Sequence, residues 1–161
     1  MHSRIFQITT KPVSEEDYIT TGDFDELWFT NSVADYVSDD NDRAEDIEQL
    51  RSSLEDRKVA IFDNDSFVIQ PGGKEIYFLA AYEAFIKARD QTLEMGLKEF
   101  AADDDMFGFS MSLWAMNNAY CSKFEFYVSS DEFGTIPIDD FIRRAEAGVQ
   151  YYIGATIDYH A

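Results

Sequence analysis

Carboxylates dominate the residues that could do chemistry in this chain. Its 161 residues include 32 Asp and Glu against 13 Lys and Arg, a formal net charge of −19. The sharpest local arrangement is Val59-Ala60-Ile61-Phe62-Asp63-Asn64-Asp65-Ser66, an apolar run ending in two aspartates one residue apart. Paired carboxylates of this kind can attack phosphorus, exchange a proton or hold Mg²⁺. The rest of the reactive inventory is thin. Cys121, His2 and His160 offer neither a zinc-ligand spacing nor a Ser-His or Cys-His pair. A calcium loop begun at Asp39 would place Arg43 at its fifth position and Ala44 where glycine is required. Gly72-Gly73 lacks the Gly-Lys-Ser/Thr element of a phosphate loop. Asp103-Asp104-Asp105 reads as a solvated loop, because consecutive residues rarely converge on one ion. No metal and no cofactor is expected.

The run ending in Asp63-Asn64-Asp65-Ser66 resembles the nucleophile motif of the haloacid-dehalogenase-type phosphatases. That resemblance implies Asp63 as nucleophile and Asp65 as acid/base, with Mg²⁺ on the carboxylates. Ser129, after Phe124–Val128, matches the family's second motif. The remainder of the pattern is missing. No Lys stands between Ser129 and Asp139-Asp140, and only 96 residues follow Asp65 in a chain of 161, few for a wound parallel sheet. Asn64-Asp65 between two β-rich runs reads instead as a two-residue hairpin turn. A non-enzymatic protein is expected, with a phosphatase-like site at Asp63/Asp65 or an anion pocket at Arg89 as the alternative. Arg89 falls inside an apolar helical arc between Phe85 and Leu93, where a charge must pair or snorkel. A carboxylate at the sheet edge is its expected partner.

The negative charge is unevenly placed. Ser14 to Asp56 holds fifteen acids and two bases, Arg43 and Arg51, so −13 of the −19 sits in this segment. DNA carries one charge per about 1.7 Å of axis, or about 100 Å² of cylinder surface. If residues 14–56 own a proportional share of a surface of about 8,000 Å², they expose about 170 Å² per net charge. Such a face repels nucleic acid and anionic membrane and attracts basic protein surfaces. The expected partner is a basic protein; in the narrower form of this expectation that protein binds nucleic acid and the chain acts as a nucleic-acid mimic or inhibitor. In charge and size it resembles anti-restriction and anti-nuclease inhibitors. The expected contact residues are Asp25, Glu26, Trp28, Asp35, Asp39, Asp40, Asp42, Glu45, Asp46 and Glu48. Trp28 and Phe29 fit either an interface anchor or a tie between this segment and the core.

Composition makes the charge the coat of a real fold: 45% of residues are hydrophobic and 16% aromatic. One domain is expected. A single cysteine fits a reducing compartment, the first residues lack a signal-peptide core, and no apolar run spans a bilayer, so a cytoplasmic location is expected.

The elements follow from pattern. Ile5–Thr10 reads as a strand stopped by Pro12. Asn31 or Ser32 caps a turn carrying Val33, Tyr36 and Val37. A helix over about 43–56 shows a narrow stripe of Ala44, Ile47, Leu50 and Leu54. Residues 59–70 form a hairpin. A long helix over about 74–100 has an apolar arc wide enough for deep packing on a sheet, with Gly96 inside that arc. Phe107 to Ala115 and Tyr120 to Val128 alternate about Asn117-Asn118, predicting a second hairpin, with a helix over 111–121 as the alternative. Pro137 to Ala147 reads as a short helix and Val149 to His160 as a closing strand. The sum is an α+β fold: a mainly antiparallel sheet, one long amphipathic helix and an acidic helical insertion over about 14–56.

Overall fold

Ile5-Phe6-Gln7-Ile8 is apolar on both sides of its chain because it lies mid-sheet. In the computed structural model this segment belongs to strand β1 (His2–Thr9), whose residues 5–8 are all buried. The structure describes residues 2–24, 28–102, 108–121 and 125–161, with only the backbone of Trp28 and Asn31. The other strands are β2 (Tyr36–Ser38), β3 (Ala60–Asp63), β4 (Ser66–Ile69), β5 (Tyr127–Ser130), β6 (Gly134–Pro137) and β7 (Gln150–His160). They form one seven-stranded sheet in the order β3-β4-β7-β1-β5-β6, and β2 pairs with the far end of β7. Every pairing is antiparallel except β1 with β5. The α+β class and the mainly antiparallel sheet are as the sequence predicts.

Register assigns the two faces. Ile5 pairs with Tyr127 and Ile157, and Ser3 with Tyr159. On that face Ile5, Tyr127, Ile157 and Tyr159 meet Phe24, Phe29, Val33 and Ala34 in one buried cluster. Phe29 sits edge-on to Tyr127 and Tyr159, at 4.8 and 5.3 Å between ring centres. Phe6, paired with Val128 and Thr156, faces the other way. Helix α2 (Arg43–Glu55) contributes buried Ile47, Leu50 and Leu54 to the core. Helix α6 (Ile138–Arg144) adds Phe141, whose ring meets Phe67 and Tyr151. Each such side chain, fully buried, contributes about 1.5–3 kcal/mol.

The segment 14–56 is therefore woven into the fold. It supplies β2 to the sheet, Phe24 and Phe29 to one core cluster and α2 to another buried stripe. Two short 3₁₀ turns (Glu15–Asp17 and Thr21–Phe24) precede helix α1 (Trp28–Ser32). The turn predicted after Asn31 is displaced: α1 ends at Ser32, and Tyr36 and Val37 extend into β2. Gln7 holds the start of this segment to the sheet. Its side-chain oxygen accepts from the backbone of Ile19 and Ala155, and its amide donates to Asp17 O. Gly154 makes room for it, since a Cβ there would fall 2.3 Å from Gln7 Oε1.

The hairpin over 59–70 forms as expected, with Asp63 opposite Ser66 and Asn64 at φ +49°. The long helix is α3 (Gly73–Glu94), followed by the short α4 (Leu97–Phe100). Gly96 marks the break between them. It is exposed, and its N–H is accepted by Glu99 Oε2 at 3.0 Å. The buried-arc reading of Gly96 is therefore corrected: a Cβ there would meet only the Glu99 side chain among the described residues. The second predicted hairpin is corrected outright, because Phe109–Tyr120 forms a helix, α5. Neither period excludes the other over a short apolar run, and here the helical alternative wins.

The chain divides into two compact units, Met1–Tyr77 with Lys123–Ala161, and Phe78–Ser122. The second is helical, and among its described residues only Ala88 and Ser112 are buried. The wide apolar arc predicted to pack deeply thus lies largely in solvent, with Leu93 75% and Leu97 81% exposed. No described helix is long and apolar enough to cross a membrane.

Candidate functional site

Helix α2 begins where the sequence supplies a cap. Asp42 has extended backbone, and its Oδ1 accepts from the N–H groups of Ala44 and Glu45 at 2.9 and 3.2 Å. Glu45 and Asp46 in the first turn complement the positive end of the helix dipole. Ile47, Leu50 and Leu54 then bury one side. Glu45, Glu48, Ser52 and Asp56, at three- and four-residue steps, line the other. Glu45, Glu48, Ser52 and Asp56 are exposed, as are Asp39, Asp40 and Asp42 before the helix.

Neutralisation on this ridge is slight. Glu48 has an ion pair with Arg51 at 3.3 Å, and Asp35 lies 3.2 Å from the His160 ring. Asp39, Asp40, Glu45 and Asp56 have no ion-pair partner among the described residues. The other base of the segment, Arg43, is turned elsewhere. It donates to Gly154 O at 2.6 Å and Ile153 O at 2.8 Å, and pairs with Asp65 at 2.8 Å.

Asp46 does not belong to that surface. It is 1% exposed, so the expectation that it touches a partner is corrected. Arg4 Nε donates to its Oδ1 at 2.5 Å. Asn41 Nδ2 donates to its Oδ2 at 2.5 Å, and Thr156 Oγ1 donates to the same oxygen at 2.8 Å. Arg4 also pairs with Asp158, its cross-strand neighbour on β7. His2 Nδ1 lies 2.9 Å from the second Asp158 oxygen. One guanidinium between two buried carboxylates compensates charges that would otherwise be costly to desolvate. This network ties α2 to β1 and β7. Sequence reasoning missed it; the signal was a charged Arg4 directly before the apolar Ile5-Phe6 of a predicted strand.

The remaining expected residues scatter. Asp25 and Glu26 lie outside the described residues, as does Asp103-Asp104-Asp105. Trp28 opens α1. Asp63 ends β3 and Asp65 lies in the tight turn between antiparallel strands, where its carboxylate is engaged by Arg43. Arg89 is paired with adjacent Asp90, Nη2 to Oδ1 at 2.6 Å, and not with a carboxylate at a sheet edge. Cys121 caps the end of α5 rather than flanking a strand. The two histidines, near the ends of the sequence, are direct cross-strand partners with ring centres 5.1 Å apart. Among the described residues no group of three or more His, Cys, Asp or Glu could hold a metal ion.

A second polar feature surrounds Tyr77 at the first turns of α3. A cleft of about 300 Å³ is lined by Ser3, Ser53, Arg57, Tyr77, Glu125 and Phe126. Tyr77 donates to Asp139 Oδ1 at 2.9 Å, while the Arg57 guanidinium lies 5.1 Å from its ring centre. Burial first, and then the negative charge of Asp139, raise the Tyr77 phenol far above its ordinary range. It is held as a proton donor.

No protein-family model matches the chain, and neither the curated proteins nor the solved structures compared with it provide a match.

Proposed function

We propose that the ridge formed by the loop before α2 and the wet side of α2 engages a basic protein surface. The observation that carries this reading is the separation of roles within one segment. Asp46, the acid that faces inward, is fully compensated by Arg4, Asn41 and Thr156. Asp39, Asp40, Asp42, Glu45, Glu48 and Asp56 face water with a single base among them. Charges so placed attract a basic partner at long range and lose that attraction as salt rises.

Mimicry of nucleic acid is the narrower form of this reading, and spacing favours it. Asp42 to Asp56 spans fourteen steps of helix, about 21 Å at 1.5 Å per residue. Asp42, Glu45, Glu48 and Asp56 then give about half the linear charge density of one DNA strand, which carries a charge per about 3.4 Å.

Binding to immobilised poly-arginine over a salt series tests the ridge. The variant D39N/D40N/D42N/E45Q/E48Q should weaken binding by about tenfold or more, and flatten its salt dependence. A control neutralises five exposed acids elsewhere, D63N/E75Q/D131N/E132Q/E146Q, and should weaken it far less. Equal losses in the two variants would leave only bulk charge and end the proposal. Competition by a short duplex DNA for a basic groove would separate mimicry from general acidity.

A further inference from the structure

The helices within residues 78–122 differ from the rest of the chain in charge and in surface. Helix α5 contains no charged residue, and residues 78–100 hold four acids against three bases; Asp103-Asp104-Asp105, between α4 and α5 in sequence, bring the whole span to seven acids and three bases. Residues 1–77 and 123–161 together hold 25 acids and ten bases. On the near-neutral helices Leu79, Tyr82, Leu93, Leu97, Phe100 and Trp114 are each more than half exposed. At about 200 Å² for a large side chain, these six alone put about 800 Å² of apolar surface in water. Leu79, Tyr82 and Leu93, all on α3, supply about half of it, which by itself matches the largest apolar patch of a typical monomer, about 300–600 Å².

The surface has an order that a helix partner could read. Leu79, Tyr82, Ile86 and Leu93 recur at steps of three, four and seven residues, so they share one stripe of α3. Nearby, Met95 and Met111 line a cleft of about 660 Å³ within the helical unit. Their unbranched side chains adapt easily to an incoming surface. Phe100 and Phe109 meet edge-on at 5.0 Å and join α4 to α5.

We propose that this helical face joins two copies of the chain, with α3 antiparallel to its copy about a two-fold axis. Charge selects the occupant. A chain of net charge −19 repels its copy over most of its surface, and these helices are where that repulsion is least. An antiparallel pairing also satisfies the charges beside the stripe. Lys87 and Glu94 are two turns apart and share one flank, and their midpoint falls between Asp90 and Gln91. A two-fold axis there sets each Lys87 against Glu94 of the other copy, which is the self-complementarity an isologous contact requires. A lipid surface is the poorer occupant, because these helices carry no basic excess for anionic headgroups.

Sedimentation equilibrium of the full chain from about 1 to 100 µM tests the pairing. The wild type should reach twice the chain mass. Leu93→Glu, at an exposed position, should weaken association by about tenfold or more with an unchanged far-UV circular dichroism spectrum. Lys87→Glu should weaken it severalfold, and the swap K87E/E94K should restore it. A wild type monomeric at 100 µM, association indifferent to Leu93→Glu, or a swap that fails to rescue Lys87→Glu would overturn the proposal. So would a monomer that floats with zwitterionic or anionic vesicles, which would assign the face to lipid.

Discussion

Helix α2 has a narrow apolar stripe and hides all of it but Ala44; the described helices from residue 78 to 120 are broadly apolar and hide almost none. In α2 the buried positions Ile47, Leu50 and Leu54 sit across from strands, and even an aspartate is drawn inside. In the helical unit, Leu93 and Leu97 stand in water. Apolar area in a sequence measures how much surface a helix could lose, while burial also needs something on the other side. The acidic unit has its counterpart within its own sheet. Among its own described residues the helical unit has no such counterpart for Leu93 or Leu97.

The largest expected effect lies at the buried charge. Asp46→Ala strands Arg4 and two hydrogen-bond donors, and should cost about 3–5 kcal/mol in urea unfolding. A protein of unchanged stability would remove the network from the account of how α2 is held. Next comes a matched pair of leucines. Leu50→Ala should lose about 2–5 kcal/mol, and Leu93→Ala less than about 0.5 kcal/mol. Similar losses would erase the contrast between the two units. Smaller still, Asp42→Ala should cost about 1 kcal/mol by uncapping α2, with Asp42→Asn close to neutral.

The smallest effect is one of slope. The Tyr77 pKa is raised in the folded chain, so above pH of about 10 the unfolded phenol loses its proton first. Stability from this group is intact below that pH and declines as pH rises toward the folded value. Tyr77→Phe should therefore flatten the alkaline loss of stability measured by urea titration at pH 9 to 11. A slope identical to wild type would mean that the buried phenol is not linked to folding.

Where local chemistry was unambiguous, pattern sufficed. The tight turn at Asn64-Asp65 and the alternation of Gln150 to His160 each admit one geometry. Phe109–Tyr120 admitted two. Its Ser and Asn fall where a strand would show its wet face, and it has no charge to mark a helical one. Strand β6 was missed because four residues, Gly134 to Pro137, carry too short a period to register. At the candidate site the density of acids was legible, but their orientation was not. Asp46 looks like Glu45 in a sequence and differs only by meeting Arg4 from a strand 42 residues away. Arg89 erred in the opposite sense: an arc that is solvated asks nothing unusual of a guanidinium.

Strand β1 has one further consequence, for the order in which this chain can be built. Its two neighbours in the sheet, β5 and β7, begin at residues 127 and 150. At about 5–20 residues per second, a ribosome needs on the order of ten seconds to pass from β1 to the start of β5. Throughout that delay Ile5, Phe6 and Ile8 wait unpaired, followed by a stretch dense in mutually repelling carboxylates. Pairings so distant along the chain form slowly, and a nascent tail that repels its own kind is poorly placed to aggregate while it waits.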